Sequence, residues 1–579
     1  MRKKWGNRIG AIVLACALTM SGLPVQSIST STRKAYAAAK SETEKQDVSQ
    51  PETKMGNVVL NGNDIAVNNV NGLTYKGFGM LSGNSTSDLL MDYKAEQPKA
   101  YAELMQYLFG GNYPIMNHVK LEMGNDRNTS TGPESCTKRT EKEKANVLRN
   151  PGWQLAADAK KINPKIKVSI LRWEAPVWAE TDEKIYQWYK ETILDAYEKY
   201  GYMVDYINPN INEKWDVDSD VAFTKKFAKW IAAETKETIP DEKALALYHK
   251  IKLVVSDEAG TASDSVVESM KSDSDFYNSV DVVGYHYSPW DDSNGGMKWL
   301  AQTKDKEVWN SEAQATFSNS AFRPSNNVKD PTTEGTGLGG TGSALEMANT
   351  FIKGFVQSRR SHVIYQPAIG SFYEGAQFSF KELVGARDPW SGWIHYDAGL
   401  LMLAHISKFA VTGWENEDNT AGIWRAVPQA SKCTADGTNP VNGRNGGENY
   451  MTLASPAKDN FSTMIVNDSE YPMEYKIQTK NMKLAEDQNL EIWETRAADD
   501  GAFNENYMKC IGTAKADDNG VYTVKVKPYS AVTVTTLQVA DDEEHTNALP
   551  VEGERTVLDT DRTGSKQDVE SDYLYADDF

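Results

Sequence analysis

INPNINE at 207–213 and EVWNSE at 307–312 are the two stretches on which the fold of this chain turns. Each is long enough for one β-strand and ends on a glutamate preceded by a polar residue, Asn212–Glu213 in the first and Ser311–Glu312 in the second. In a barrel of parallel strands, side chains at the strand C-termini converge on one open face, where barrel enzymes hold their active sites. The neighbouring sequence decides whether such a barrel exists.

From residue 74 onward, strand-like runs alternate with helix-like ones. Strands are predicted at 75–81, 116–123, 167–173, 205–212, 252–256, 281–287, 307–311 and 362–367. Amphipathic stretches at 88–109, 144–162, 183–200, 217–235 and 343–358 lie between most of them, with a weaker one around 295–303. This alternation predicts a (β/α)8 TIM barrel over 74–404, with a doubly wound sheet as the competitor. Counting strands puts Glu213 after the fourth and Glu312 after the seventh, 99 residues apart.

Beyond residue 405 the texture changes. Runs such as YMTLAS, FSTMIVN, EYKIQT and NLEIWET alternate apolar and polar residues between Asn, Asp and Gly turns. A β-sandwich is predicted over 405–540, with short strands at 56–73 adding to it. Residues 38–55 read as a flexible leader and 541–579 as an acidic linker.

The first 37 residues read as an export signal: Arg2, Lys3, Lys4 and Arg8, an apolar stretch from 9 to 25, then Ala35-Tyr36-Ala37 for cleavage. Secretion is therefore expected, free or associated with the cell surface, with no integral membrane segment after cleavage. A formal net charge of −19 offers no basic face for a nucleic-acid partner. Export permits a disulfide; Cys433 with Cys510 is the natural pair, leaving Cys136 free, and no disulfide at all is the alternative. No metal-ligand spacing is present, and no cofactor is implied.

Two carboxylates across a barrel mouth suit glycoside hydrolysis by double displacement, with one residue as acid/base and the other as nucleophile. Each has a plainer explanation: Glu213 could cap the following helix, and Glu312 could be a surface loop carboxylate. Asn212, beside the acid, is placed to bond a sugar 2-hydroxyl. Other predicted strand ends are polar or aromatic too: Arg172-Trp173-Glu174 at the third, Tyr285-His286-Tyr287 at the sixth, and Gln366 at the eighth. Glu122 and Glu374 are further acids, and Asp388–Trp393 forms an aromatic loop containing Trp390.

At these residues the chain resembles galactocerebrosidases and their bacterial relatives, glycoside hydrolase family 59. The resemblance runs through GFGMLSGNSTSDLL (77–90), LEMGND, RWEAPVW, NINE, VVGYHY, WNSE and DPWSGW, and again at the terminal ADDF. It implies Glu213 as acid/base, Glu312 as nucleophile, Asn212 and Trp173 as sugar contacts, and a hydroxyl contact from Thr129 or Ser130. It also implies a barrel, a β-sandwich and a lectin-like domain that would open at ADDF. The chain departs from the lysosomal members at Gln366, where they carry an active-site tryptophan, and at Phe378, where they carry a tyrosine. No match to the family's substrate-contacting arginine is found in the sandwich. The expected function is a secreted retaining β-glycosidase acting on β-galactosidic bonds of a carbohydrate or glycolipid. The alternatives are an endo-β-1,6-glycanase or β-glucosidase on the same barrel, and a non-catalytic carbohydrate-binding wall protein.

Overall fold

The computed structural model describes residues 51–83, 86–127, 133–259, 262–287, 292, 294–315, 343–370, 382–411, 423–434, 446–496, 506–546 and 549–554. The export signal, most of the leader, Thr129, Ser130, Glu374, Phe378 and the terminal ADDF lie outside them.

Eight parallel strands close into a barrel. They are β1 (Gly77–Ser82), β2 (His118–Glu122), β3 (Lys167–Arg172), β4 (Tyr206–Ile211), β5 (Lys252–Ala259), β6 (Val282–His286), β7 (Glu307–Ala313) and β8 (His362–Tyr365). β1 pairs with β8 to shut the ring. Side chains alternate inward and outward with the strand period of two. On β2, Val119 and Leu121 face the helices, while His118 and Lys120 reach across the interior to His362 and Asp257. Tyr206, Val254, Val282, Trp309 and Ile364 form an inner apolar cluster.

The helices differ from the predicted ones in detail. The first splits into Thr86–Glu96 and Pro98–Phe109, because proline cannot donate the hydrogen bond that would carry one helix through Pro98. Helices at Glu242–Tyr248, Ala262–Ser272 and Ser274–Ser279 are additional to those predicted. The barrel's last helix, Gly399–Ser407, is buried along its whole length, so its sequence GLLMLAHIS has no polar face to give it a helical period.

Two sheets stack beside the barrel. One contains Lys54–Asn61, Met473–Lys480 and Val521–Val526; the other, of seven strands, includes Asn449–Ala454, Phe461–Asn467, Leu490–Arg496, Asn506–Ala514 and Ser530–Thr535. They share a core of Val58, Leu60, Ile465, Tyr475, Ile477, Val524 and Val532. The larger sheet presses Met451, Met464 and Ala531 into the barrel-side core with helix Gly399–Ser407. Its central strands are therefore buried on both faces.

The first strand starts at Lys54, inside the stretch read as leader, because Gly56, Val58 and Leu60 alternate inward against the sandwich. The Asn-Gly pairs after it make turns and a single 3-10 turn at Gly62–Asp64, not the further strands predicted up to residue 73. No disulfide joins Cys433 to Cys510. Cys433 pairs beside Asn449–Ala454 at one side of the larger sheet, and Cys510 lies on the edge strand at the other. Several strand spacings, on the order of 20 Å, separate them, too far for a disulfide. No helix among the described residues is long and apolar enough to cross a membrane.

Candidate active site

The C-terminal ends of β4, β5 and β7 all break the regular pleat. On β4, Ile207 pairs with Ile170 but Ile211 pairs with Arg172, so two extra residues bulge around Pro209. Proline has no N–H for the ladder, which confines it to such irregular positions. On β7, Tyr285 faces Asn310 and His286 faces Glu312, leaving Ser311 as the inserted residue. On β5 the inserted residue is Asp257. Without these bulges a period of two would send Asp257 and Glu312 outward to the helices; with them, both point into the barrel mouth.

Backbone conformation is forced at the same places. Glu213, Asp257 and Tyr287 have φ of 56°, 44° and 57°, a left-handed region that non-glycine residues seldom occupy. Hydrogen bonds hold them there: Glu213 N–H donates to the Asp257 carbonyl at 2.9 Å, and Tyr287 N–H to the Glu312 carbonyl at 3.1 Å. Strain of this kind clusters where function fixes geometry. Gly284 on β6 makes room for the bulge opposite, because a Cβ there would lie 2.6 Å from Ser311 Oγ and 3.3 Å from Asp257 Oδ1.

One oxygen of Glu213, one oxygen of Glu312 and a ring nitrogen of His286 all lie within 4.8 Å of one another. The Tyr287 hydroxyl reaches both carboxylates, at 3.2 Å from Glu213 Oε1 and in a short contact with Glu312 Oε1. His286 Nδ1 is 3.1 Å from Glu213 Oε1 and 3.9 Å from Glu312 Oε2. Its Nε2 is 3.3 Å from Asp257 Oδ1. Glu312 is buried, whereas the Glu213 side chain keeps 30 % of its exposure.

Below this group Asp257 is gripped from two sides. Lys120 Nζ lies 3.0 and 2.9 Å from its two oxygens, and Asn208 Nδ2 donates at 2.9 Å. Lys120 also donates to the Ser311 carbonyl at 3.1 Å. Burial alone would raise the Asp257 carboxyl, but the Lys120 ammonium and the His286 contact hold it well below the usual carboxylate range. Burial likewise disfavours a charged His286; the Glu312 charge and the bonds to Asp257 and Glu213 outweigh it and lift the imidazole to about 9. Burial and the two glutamates push the Tyr287 phenol far up, so it stays a hydrogen-bond donor. Glu213, His286 and Glu312 could together approach a cation, but an imidazole that holds its proton to about 9 is a poor metal ligand.

The structure thus brings Glu213, Glu312, His286 and Tyr287 together. Asn212 stands beside them, fully buried, with neither amide atom bonded among the described residues. Trp173 packs half-buried on the inner apolar cluster. Gln366 is buried at the end of β8, its N–H donating to the Ala313 carbonyl at 2.8 Å. Trp390 occupies the turn between Val384–Asp388 and Trp393–Tyr396, is 39 % exposed, and is tied through its carbonyl to Gln97. Arg172 turns outward, its Nε bonding the Pro209 carbonyl and its guanidinium lying over Phe223. Tyr285 packs into a core on the helix side beneath Arg360.

Sequence reasoning missed Lys120, Asn208 and Asp257. Two signals were present: a lysine in the middle of the buried strand HVKLE, and a proline inside a central strand, which announces a bulge.

The model for Glycosyl hydrolase family 59 matches residues 75–408, the whole barrel. The chain belongs to this family. Curated relatives include the galactocerebrosidase of Mus musculus, 24 % identical over 80 % of this chain and 61 % of its own length. The galactocerebrosidase of Homo sapiens is 27 % identical over 59 % of this chain and 44 % of its own. The matched part is thus about half the length of such relatives. Among solved structures, SrfJ from Salmonella typhimurium superposes with a TM-score of 0.54 at 12 % identity, covering 85 % of this chain and 94 % of that one. The catalytic domain of the GH30 xylanase C from Talaromyces cellulolyticus gives 0.53 at 11 % identity, covering 83 % and 99 %. At such identities the likeness is one of fold, and the fold of this family 59 member is that of barrel glycoside hydrolases.

Proposed function

We propose that this chain is a secreted retaining β-glycosidase that hydrolyses β-galactosidic bonds of glycans or glycolipids. The observation that carries the reading is the approach of a Glu213 and a Glu312 oxygen to within 4.8 Å, with the Tyr287 hydroxyl shared between them. An inverting enzyme must leave room for a water, with carboxyl groups roughly 6.5–9.5 Å apart, whereas double displacement needs about 5–5.5 Å. Exposure supports the assignment of roles. Glu213, the more open, protonates the leaving oxygen; Glu312, buried and oriented by Tyr287, attacks the anomeric carbon. Glu213 then takes a proton from water, which releases the sugar from Glu312. The unbonded Asn212 amide supports a contact to the sugar 2-hydroxyl, and Trp173, at the mouth, supports stacking on a sugar face. Gln366 and Trp390 are assigned as further sugar contacts, and the family resemblance adds a hydroxyl from Thr129 or Ser130. The choice of β-galactosides rests on the relatives named galactocerebrosidase, and export rests on the N-terminal signal.

The test is a pair of variants assayed on aryl glycosides. Glu312→Gln is expected to abolish turnover, while Glu213→Gln keeps activity on dinitrophenyl substrates and loses it on poor leaving groups. Full activity of Glu312→Gln overturns the reading. NMR of the first-formed product should show the β-anomer. In a panel of β-galactoside, β-glucoside and β-fucoside, preference for the glucoside would replace the galactosidase assignment with a β-glucosidase.

A further inference from the structure

The charged groups in the barrel mouth alternate in sign along a continuous path. Lys120 on β2 meets Asp257 on β5, Asp257 meets His286 Nε2 on β6, and His286 Nδ1 meets Glu213 after β4, with Glu312 of β7 close by. Lys120, Asp257 and His286 are buried, so water screens these charges little. An isolated buried aspartate would take up a proton; one held by an ammonium on both oxygens and by an amide stays charged. That fixed charge lies on the side of the imidazole away from the acid.

We propose that Lys120 and Asp257 are positioning residues that keep His286 as an imidazolium against Glu213, so that the proton given to the leaving oxygen is held jointly by His286 and Glu213. The proposal rests on the glycosidase reading above. Two arrangements hold the same number of protons: His286 charged with both glutamates ionised, or His286 neutral with Glu213 protonated. They interconvert by moving one proton across the 3.1 Å from Nδ1 to Oε1. In the first step that proton passes from Nδ1 to Glu213 and the carboxyl protonates the glycosidic oxygen. The C1–O bond breaks and Glu312 bonds to C1. His286 ends neutral, Glu213 ionised and Glu312 esterified, so the net charge of the three is unchanged. In the second step water attacks C1, its proton returns through Glu213 to Nδ1, and Glu312 leaves as carboxylate.

This resolves a conflict in the geometry. A permanent imidazolium would hold Glu213 ionised and useless as an acid; a shared proton makes the cation part of the acid. The groups that face the ring are Glu213, Glu312, Asp257 and the neighbouring Tyr287 hydroxyl, with Lys120 behind Asp257, and the ring is lifted to about 9 despite burial. The pair then titrates as a unit, and removing Asp257 lowers its apparent value.

Two readouts test this in the full chain. In the ¹⁵N-histidine NMR spectrum, His286 should remain an imidazolium through pH 8, and Asp257→Asn should lower its titration by at least one pH unit. This readout needs no turnover, so it stands even if no glycoside is cleaved, an outcome that would sink the glycosidase reading alone. In kcat/KM profiles on a galactoside with a poor leaving group, Asp257→Asn should move the alkaline limb at least one pH unit lower, and Asp257→Glu should restore it. On a dinitrophenyl galactoside the limb should move little. Because Asp257→Asn strands Lys120, the charge-balanced pair Lys120→Met with Asp257→Asn is made in parallel and should show the same shift. A His286 that titrates near 6.5 in the native protein, or variants that lose activity equally at every pH, overturns the proposal.

Discussion

Asn212 separates what a side chain costs in stability from the sugar contact proposed for it. Its amide is fully buried and neither its nitrogen nor its oxygen is bonded among the described residues. An unsatisfied buried polar group costs about 1–3 kcal/mol, so the native fold gains nothing from this amide. Asn212→Ala should therefore leave the melting temperature unchanged or raise it, while kcat/KM on a β-galactoside falls roughly 100-fold or more, as expected when a 2-hydroxyl contact that strengthens in the transition state is removed. A variant that loses stability and activity together would make Asn212 a structural residue. Tyr287 gives a second case. Its hydroxyl bonds both glutamates, and its phenol is pushed far above its ordinary value by burial first and then by their charges. Tyr287→Phe is expected to lower kcat by 10- to 100-fold, roughly 1.4–2.8 kcal/mol of lost orientation, in steady-state assays. It should leave KM nearly constant, since the hydroxyl acts on the carboxylates.

At the scale of elements, the three bulges on β4, β5 and β7 build the site. Gly284 on β6 is the residue that admits the one at Ser311. A methyl group there would meet Ser311 Oγ at 2.6 Å inside a packed barrel. Gly284→Ala should destabilise by about 1–3 kcal/mol, read from urea unfolding, and should lower kcat through displacement of Glu312. Retained kcat would mean that the bulge accommodates the methyl group. The same bulges explain what the sequence did and did not disclose. All eight barrel strands were legible, because apolar runs buried between helices leave an unambiguous pattern, and the strand count put both glutamates on the correct strands. The inward direction of Asp257 was not legible, since period-two reasoning sends it to the helix side and only a change of register reverses it. Helix Gly399–Ser407 was illegible for a related reason: it is buried between barrel and sandwich, so no polar face marks its period. Lys120 could have been found, because a lysine at an inward strand position calls for a buried partner of opposite sign.

At the scale of the whole molecule, barrel and sandwich meet across a buried seam in which His405 is held neutral. His405, on helix Gly399–Ser407, bonds Thr533 Oγ1 at 2.9 Å and Thr495 Oγ1 at 2.7 Å, both on the larger sheet. Burial pushes its imidazole down to about 3. At the barrel floor His362 is also pushed down to about 3, chiefly by burial, and donates or accepts against His118 at 2.9 Å. For such groups the unfolded chain binds the proton first. The stability they allow is complete above about 6.5 and is lost as pH falls from there toward 3. His286 has the opposite sign: its raised value contributes stability that is complete below about 6.5 and lost as pH rises through 9. The fold is thus expected to be most stable near neutrality, with an acid limb set partly at the seam. Replacing His405 with Gln, which can still serve both threonines, removes one titrating group from that limb. Each neutral buried histidine contributes about 1.4 kcal/mol per pH unit. Between pH 6.5 and 5 the variant should therefore lose about 2 kcal/mol less than the native chain, measured by denaturant unfolding at each pH. An unchanged acid slope would mean that the seam opens and hydrates before His405 takes up its proton, so that barrel and sandwich unfold separately.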